Sequence, residues 1–433
     1  MIKSFLKKII PKCIIRLYHL ILAELAAFIY GYPSKKMVVI GVTGTKGKSS
    51  TAYLLAKILE SAGYKVGLTS TIMFKVGERE RLNPYKMTML GRFKLQAFLS
   101  EMASSDVQYA VIETSSEGIL QHRHRGIDYN AAVFTNLSPE HLEAHGGYKN
   151  YRAAKAKLFK HLKRKKINGH QIPRVIIANA DDKEAEYFLS FPADEKYGFS
   201  MKGKLLEDVA PVFGWEVVLG EDGSRFKIGD ENFELKLLGR FNVYNALAAA
   251  AAALALGVDL REIRDALAKI YSIPGRLEFV DEGQPFKIIV DYAHEPKSME
   301  EIYAAINLIP HKRIINVFGG TGGGRDKSKR AVLGAIAAKS ADVVIVTNDD
   351  PYGENQDAIA DQIIGGITGA QNETSYEKIL DRREAIHRAL DLAGEGDLVL
   401  ISGKGAEQLM MIGGKKIPWD DRKIVREEMK KIF

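Results

Sequence analysis

An apolar run that breaks into a glycine-rich turn constrains this chain of 433 residues more than any other feature. The run begins at Met37, the turn ends at Ser50, and leucines from Leu54 onward recur at the spacing of an amphipathic helix. A strand, a glycine-rich turn and a helix in this order can close backbone N–H groups around phosphate oxygens. In such a loop Lys48 supplies positive charge and Ser49 can ligate Mg²⁺.

The loop departs by one residue from the usual phosphate-loop pattern, G-x-x-x-x-G-K-[ST]. Val42 stands where the first glycine of that pattern belongs. A plain strand, turn and helix with incidental glycines is therefore the alternative interpretation. The phosphate-binding hypothesis predicts nucleotide contacts from Gly44, Thr45, Lys46, Gly47, Lys48, Ser49 and Ser50.

Length and composition limit the class of protein. A chain of 433 residues exceeds one ordinary core and fits two or three domains. Its 46% hydrophobic and 27% charged residues are typical of a globular protein. The single cysteine, Cys13, excludes an internal disulfide framework and fits a reducing compartment. Since charges interrupt the first apolar run, no cleavable signal peptide is evident, and we expect a cytoplasmic location.

Positive charge is concentrated at the N-terminus. Residues 1–36 hold seven lysines and arginines against Glu24 alone, which accounts for +6 of the net charge of +8. The remainder is nearly neutral, so we expect no nucleic-acid partner. The apolar stretch Ile9–Tyr30 is broken by Pro11 and interrupted by charges, which argues against a membrane span. It fits either a helix packed on the body or on a partner protein, or a basic amphipathic helix on an anionic membrane surface, with contacts through residues 1–30.

Alternating strand and helix patterns predict an α/β fold. From Val38 to Ile177 the pattern favours a parallel sheet covered by helices, in a central P-loop ATPase-like domain. Short strands follow over residues 205–238, and then an Ala-rich helix over Asn242–Leu256. A second alternating series from Lys287 to Ser402 predicts a Rossmann-like C-terminal α/β domain. We therefore predict a helical N-terminal segment over 1–36, a central domain over 37–276 and a C-terminal domain over 277–433.

Further motifs occur in the order seen in the Mur ligase family, and this chain resembles its UDP-N-acetylmuramoyl-tripeptide synthetase (MurE) type. The resemblance spans residues 38 to 433. The ordered set, rather than any one motif, makes coincidence a poor explanation. The motifs are Gly44–Ser49, Glu113–Ser116, Gln121–Arg123, Thr135–Ser138 with His141, Tyr151 with Lys155, Asn179–Asp182, Gly239–Asn245, Pro274–Arg276, Asp291–His294, Arg325–Lys327 and Gly403–Gly405.

The resemblance implies an ATP-dependent ligase that forms an acyl phosphate, releases ADP and phosphate, and uses two Mg²⁺ sites. Glu113 ends an apolar strand, where ligands gather at the carboxyl edge of a parallel sheet. By resemblance Lys155 is carbamylated by CO₂ and becomes an anionic metal ligand, although a solvated helix lysine is the plainer alternative. The implied catalytic residues are Lys48, His141, Lys155 and Arg276, and the implied metal ligands are Ser49, Glu113, His141 and Lys155.

The resemblance also assigns contacts with ATP and with the muramyl-peptide acceptor. Asn242 could instead cap the Ala-rich helix. Met89 and Glu117 depart from the family's usual threonine and histidine, so the acceptor assignment is weaker than that for ATP. The implied nucleotide contacts beyond the loop are Asn136, Asn242, Asn245, Arg276, Asp291 and His294, and the implied acceptor contacts are Thr88, Ser115, Gln121 and Arg123.

The C-terminal domain is expected to bind the incoming amino acid. Family members that add meso-diaminopimelate carry an arginine that grips the distal carboxylate, and here Tyr352 stands at that position. Asp350 adds negative charge, which favours a distal amine, so we predict L-lysine or another diamino acid over meso-diaminopimelate. The implied amino-acid contacts are Arg325, Asp349, Asp350, Tyr352, Gly403 and Glu407, while Ala406 replaces a histidine.

Only about 37 residues precede the strand Met37–Val42 that leads into the ATP loop, whereas the family usually places a UDP-binding domain ahead of that loop. We therefore expect the acceptor's UDP to be held by other means, or the acceptor to be a different one, such as a lipid-linked cell-wall precursor. Two other functions stay open. One is a folylpolyglutamate synthetase-like ligase, and the other is an ATP-binding scaffold without catalysis.

Overall fold

The computed structural model describes residues 11–139 and 145–432. His141 therefore lies outside the described residues. The first element within the described residues is the helix Lys12–Ile29, which a short 3₁₀ turn at Pro33–Lys36 joins to the strand Val38–Thr43. This confirms the predicted helical N-terminal segment.

A nine-stranded sheet forms the centre of the first α/β unit. All its neighbouring strands pair in parallel except at one edge, where two antiparallel pairings add a hairpin. The glycine-rich loop follows the central strand. In spatial order the strands are Ala210–Phe213, Glu195–Ser200, Val175–Asn179, Ala131–Phe134, Val38–Thr43, Tyr109–Glu113, Val66–Thr69, Met73–Val76 and Arg79–Leu82.

Helices cover both faces of this sheet because its central strands are apolar on both sides. One face carries Lys48–Ser61, Arg240–Ala255 and Leu260–Ala268. The other face carries Arg92–Ser104, Tyr148–Lys160 and Ala185–Leu189, and the short helix Ser116–Leu120 follows the strand that ends at Glu113. Beside this unit lie the antiparallel strands Trp215–Gly220, Gly223–Ile228 and Glu231–Leu235, and a hairpin of Lys165–Ile167 with His170–Ile172.

The C-terminal unit is built on a six-stranded sheet that is parallel apart from its first strand. Its strands in spatial order are Glu278–Phe279, Lys287–Asp291, Leu398–Ser402, Ile314–Gly320, Val343–Asn348 and Ser375–Lys378. The helices Pro296–Ile306, Ser328–Ser340 and Gln356–Gly369 cover one face, and Arg382–Leu392 and Asp421–Ile432 cover the other. A hairpin of Leu409–Ile412 and Lys415–Pro418 precedes the last helix.

Two helix-covered parallel sheets confirm the predicted α/β class, with a central phosphate-loop unit followed by a Rossmann-like unit. The domain boundary at 276–277 stays a prediction. Carboxyl edges of parallel strands gather loops and ligands. The loops after Thr43, Glu113 and Asp291 therefore indicate where a site should lie.

The N-terminal helix packs on the central unit through small residues. Ala23, Ala26 and Ala27 are buried, and a Cβ atom on Gly126 would lie 2.5 Å from the Ala27 Cβ atom. Among the described residues, none of the helices has the length and apolar content needed to cross a bilayer.

Candidate active site

The glycine-rich loop joins the strand Val38–Thr43 to the helix Lys48–Ser61. Gly44 and Gly47 adopt positive φ angles of 155° and 78°. A Cβ atom on Gly44 would lie 1.9 Å from the Thr135 Oγ1 atom, and one on Gly47 would lie 2.3 Å from the Asn245 Oδ1 atom. Both positions therefore require glycine. The loop presents the N-terminus of a helix, whose first N–H groups favour a bound anion.

Asn136 holds the shape of this loop. Its Oδ1 atom accepts a hydrogen bond from the Lys46 amide at 2.9 Å, and its Nδ2 atom donates to the Lys46 carbonyl at 3.1 Å. Thr135 Oγ1 also donates to that carbonyl, at 2.6 Å. Asn136 does not line the cavity between the two α/β units. It therefore shapes the loop and does not itself reach the cavity.

One cavity of about 420 Å³ lies between the two α/β units, within the range typical of ligand pockets. Residues from both units line it. Four sequence-predicted residues, Gly44, Gln121, Asn136 and Asn242, are absent from its lining. The predicted residues that do line it are Thr45, Lys46, Gly47, Lys48, Ser49, Ser50, Thr88, Glu113, Ser115, Arg123, Lys155, Asn245, Arg276, Asp291, His294, Arg325, Asp349, Asp350, Tyr352, Gly403 and Glu407.

Lysines and a carboxylate surround the loop. Lys48 Nζ donates to the Thr45 carbonyl at 2.7 Å. Lys155, 1% exposed, donates to the Gly44 carbonyl at 2.6 Å and lies 4.4 Å from the centre of the Tyr151 ring. Glu113 is also buried, and its Oε2 atom accepts from the Thr71 amide at 2.7 Å.

These side chains fit a Mg²⁺ ion that is shared with phosphate groups. Mg²⁺ usually binds through one or two protein oxygens, with phosphates and waters completing the octahedron. Ser49 and Glu113 offer such oxygens at the cavity wall. Over residues 11–139 and 145–432 no group of three His, Cys, Asp or Glu side chains is arranged to hold a metal by itself.

Asn242 and Asn245 lie on the first turns of the helix Arg240–Ala255. The capping alternative for Asn242 is wrong, because the helix begins two residues earlier and Gly239 is its N-cap. Asn242 Nδ2 donates instead to the Leu238 carbonyl at 2.9 Å, and its Oδ1 atom accepts from Asn245 Nδ2 at 3.1 Å. Asn242 therefore orients Asn245, which reaches the cavity.

The opposite wall comes from the start of the C-terminal unit. The Arg276 guanidinium lies 4.3 Å from the centre of the Tyr292 ring. Asp291 accepts from the Leu277 amide at 2.8 Å and from the Ala293 amide at 2.6 Å, which fixes the backbone on either side. Burial raises the pKa of the Asp291 carboxyl, and the charge of Arg276 opposes that rise.

The same segment places His294. Its Nδ1 atom donates to the Tyr292 carbonyl at 2.7 Å, so Nδ1 carries a proton. The ring meets the Tyr292 ring edge to face, with centroids 4.6 Å apart. Tyr292 thus helps to hold His294 at the cavity wall.

The residues predicted to contact the acceptor are each held by a local hydrogen bond. Thr88 Oγ1 accepts from Thr71 Oγ1 at 3.0 Å, and Ser115 Oγ accepts from the Gly118 amide at 3.2 Å. Arg123 donates to the Met89 carbonyl and, at 2.7 Å, to Gln121 Oε1. Burial lowers the pKa of Arg123. Gln121 therefore orients Arg123, which lines the cavity.

An acidic cluster, defined here as Asp349, Asp350 and Glu407, lines the C-terminal end of the cavity. Lys404 is fully buried, and its Nζ atom lies 3.7, 3.1 and 3.0 Å from oxygens of these three carboxylates in that order. Burial disfavours the ammonium, but Glu407 and Asp349 outweigh this effect and raise the pKa of Lys404. Lys86 reaches the cluster from the other unit.

Sequence reasoning missed both lysines of this cluster. Lys404 stands inside the motif Gly403–Gly405, which was a usable signal. Lys86 precedes Thr88 by two residues, but nothing in its neighbourhood indicated a contact with Asp350, which is 264 positions further along the chain.

A phosphate loop, a buried carboxylate at a strand end and an arginine from a second α/β unit surround one cavity. These features define a nucleotide-dependent enzyme whose site is shared between two units.

Comparison with known proteins identifies the family. Residues 42–253 match the Mur ligase middle domain, and residues 275–405 match the Mur ligase glutamate ligase domain. The UDP-N-acetylmuramoyl-L-alanyl-D-glutamate–2,6-diaminopimelate ligase of Syntrophomonas wolfei is 40% identical over 410 residues, which cover 94% of this chain and 81% of that protein. Its counterpart in Geobacillus thermodenitrificans is 38% identical over 413 residues, covering 94% and 82%. The chain belongs to the Mur ligase family.

Solved structures agree with this assignment. A structure of a UDP-N-acetylmuramoyl-L-alanyl-D-glutamate–2,6-diaminopimelate ligase matches with a TM-score of 0.60 and 30% identity, over 92% of this chain and 79% of that one. The folylpolyglutamate synthase of Mycobacterium tuberculosis matches with a TM-score of 0.68, over 89% and 92%, but at 17% identity the likeness is one of fold. The MurE-type resemblance and the prediction of an ATP-dependent acid–amino-acid ligase in peptidoglycan synthesis are confirmed. Ligases of this family use ATP and Mg²⁺.

Proposed function

We propose that this ligase joins the amine of a diamino acid to the terminal carboxylate of a muramyl peptide. The supporting observation is the cavity between the two units. It brings the phosphate loop and Arg123 of one unit together with Arg276 and the acidic cluster of the other. A reaction between three substrates needs such convergence, because orientation of the reacting groups supplies much of the rate enhancement.

The proposed reaction has two steps. A carboxylate oxygen of the acceptor attacks the γ-phosphorus of ATP, the bond to the bridging oxygen of ADP breaks, and an acyl phosphate forms. The neutral amine then attacks the acyl carbon, phosphate leaves with the bonding pair, and the nitrogen loses a proton. Lys48, the loop N–H groups and Arg276 offset the repulsion between the two anions of the first step.

We propose two Mg²⁺ ions, whose chemistry is to neutralise phosphate charge and hold the phosphoryl group in line. Ser49 and Glu113 are the side chains we assign to one ion, and Lys155 as a carbamate with His141 to the other. A carbamate forms when the neutral amine of Lys155 bonds to CO₂ and loses a proton, which turns a cation into an oxygen ligand. Burial of Lys155 and its place against the loop support this role.

The charge of the acidic cluster supports a diamino acid as the amine donor. Burial alone raises the pKa of the Asp349 carboxyl, but Lys404, Arg382 and Lys86 outweigh it, so the pKa is lowered and the group stays ionised. Three carboxylates then face two lysines. This excess favours a substrate with a second ammonium group. Tyr352 offers no bidentate partner for a distal carboxylate, which supports L-lysine, whereas the names of the relatives support diaminopimelate.

A phosphate-release screen tests this proposal. UDP-linked, UDP-free and lipid-linked muramyl dipeptides are each combined with L-lysine, meso-diaminopimelate, L-ornithine or L-glutamate, with tetrahydrofolate plus L-glutamate as a separate arm. We expect release with diamino acids to exceed that with L-glutamate by at least about 100-fold, because an unpaired buried charge costs several kcal/mol. Activity confined to the folate arm would replace the proposal with the folylpolyglutamate type. Release in no arm would favour an ATP-binding scaffold.

We propose further that the N-terminal helix rests on an anionic membrane surface. Its buried side is made of alanines, and its outer side carries large apolar residues that are between 44% and 70% exposed, namely Ile14, Leu17, Tyr18, Ile21, Leu25, Phe28 and Ile29. Ordinary amphipathic helices turn such residues inward. Exposed Lys35 and Lys36 lie just beyond its C-terminal end, and the six-charge excess of residues 1–36 complements anionic lipid.

The position of the helix supports a membrane-bound acceptor. Arg125 forms an ion pair with Glu24 of the helix at 3.6 Å, and Gly126 contacts Ala27. Arg125 and Gly126 follow Arg123, which lines the cavity. Since three residues span at most about 11 Å, the helix contacts lie within about that distance of the Arg123 backbone. A lipid-linked precursor could therefore reach the acceptor end of the cavity from the surface on which the helix lies.

Vesicle sedimentation tests the membrane contact. We expect the whole chain to bind phosphatidylglycerol-containing vesicles. The triple variant Leu17→Gln, Ile21→Gln, Phe28→Gln should lose about 100-fold in partitioning, because each side chain gives up about 1 kcal/mol of burial. A matched variant, Leu205→Gln, Val218→Gln, Val332→Gln, removes exposed apolar residues elsewhere and should bind like the parent. Equal binding by both triple variants would exclude the membrane role. Loss of a dimer by the first variant would assign the face to self-association.

A further inference from the structure

Lys86 crosses from the central unit to the acidic cluster of the C-terminal unit. It lies in the segment between the strand Arg79–Leu82 and the helix Arg92–Ser104. Its Nζ atom lies 2.8 Å from Glu407 Oε2 and also forms an ion pair with Asp350. The side chain is 18% exposed and lines the cavity. This ion pair therefore links the two units within the site itself, rather than at its rim.

The C-terminal unit already neutralises part of the cluster by itself. Lys404 contacts all three carboxylates, so the cluster with Lys404 carries two net negative charges. Lys86 reduces this to one. Burial and the nearby charge of Lys404 lower the pKa of Lys86 to about 8, so its ammonium loses a proton more easily there than in water. A second cation from a substrate would compete with it for the same oxygens.

Lys86 ends in a primary ammonium on a four-carbon chain, which is the group that a diamino acid presents at its distal end. We propose that Lys86 occupies the ammonium position of the amino-acid site from within the chain, and that a diamino acid must displace it from Asp350 and Glu407. This inference rests on the proposed function. It makes Lys86 a specificity-determining residue, since an amino acid without a second cation gains nothing from the displacement. It also couples amino-acid binding to the contact between the units.

An ordinary structural ion pair is the competing explanation, and it predicts a different response to mutation. A structural pair stabilises the site, so its removal should leave the affinity for the amino acid unchanged or weaken it. A competing occupant lowers that affinity, so its removal should strengthen it. The direction of the change in KM therefore separates the two explanations.

The test compares Lys86→Met, which removes the charge at similar length, with Lys86→Arg, which keeps it. Lys202→Met serves as the matched control, because Lys202 is an exposed lysine of the same unit. We expect Lys86→Met to lower the KM for L-lysine or meso-diaminopimelate by about tenfold and to leave the KM for ATP unchanged. Lys202→Met should stay within about twofold of the parent, and Lys86→Arg, which keeps a permanent positive charge beside the same carboxylates, should not lower the KM for the diamino acid. An unchanged or raised KM for the diamino acid in Lys86→Met would overturn the inference.

Small-angle X-ray scattering provides a readout that does not depend on activity. Without substrates, Lys86→Met should have a larger radius of gyration than the parent and Lys86→Arg, because the ion pair between the units is lost. Equal radii for all three would also overturn the inference. If the parent released no phosphate with any diamino acid while Lys86→Met still expanded, the proposed function would fail and the contact between the units would stand.

Discussion

Replacement of Lys48 by methionine is expected to lower ATP-dependent phosphate release by about 100- to 1,000-fold, the usual cost of removing one preorganised donor from a developing negative charge. Lys48 begins the helix after the loop, and its ammonium already lies over the loop, bonded to the Thr45 carbonyl at 2.7 Å. Methionine keeps the length and apolar stem of the side chain but leaves the phosphoryl group without this countercharge. Coupled-enzyme detection of ADP at saturating acceptor and amino acid measures the loss.

Lys57→Met is the control for this variant, because Lys57 lies on the same helix and pairs with Glu60 and Glu80 at its surface. We expect the control to retain phosphate release within about twofold, since exposed ion pairs contribute little. Equal melting temperatures for the two variants would show that both are folded. Retention of more than a tenth of parental activity by Lys48→Met would contradict the assignment of this loop to the phosphates.

The loop and the strands could be predicted because their signals are local. The glycines of the loop stand where a Cβ atom would collide with Thr135 or Asn245. The need for glycine at these positions is therefore visible in the local sequence. Strands such as Lys287–Asp291 and Leu398–Ser402 bound the second predicted α/β series, and they are recognisable because their centres are apolar runs buried on both faces.

Contacts between distant segments could not be predicted in this way. Asn136 and Asn242 belong to family motifs. In the structure, however, Asn136 bonds to the loop backbone, and Asn242 donates to the Leu238 carbonyl just before its own helix. Lys86 meets its partners only after both units have folded. The outward face of the N-terminal helix is a further case. The sequence showed an amphipathic pattern, but only tertiary packing revealed that the alanines, rather than the large residues, face the body.

Replacement of Lys155 by arginine is also expected to have a large effect on activity, because the proposed role of Lys155 depends on carbamylation, which arginine cannot undergo. We expect Lys155→Arg to lower phosphate release by at least about 100-fold, since the variant keeps a cation where the proposal requires an anionic metal ligand. The parent, incubated with ¹³C-bicarbonate, should show a carbamate carbon resonance that Lys155→Arg lacks. Lys149→Arg, an exposed position on the same helix, should keep both the resonance and the activity. Absence of the resonance in the parent would exclude the carbamate. Full activity in Lys155→Arg with a resonance present in the parent would show that the modification forms but serves no step of the reaction.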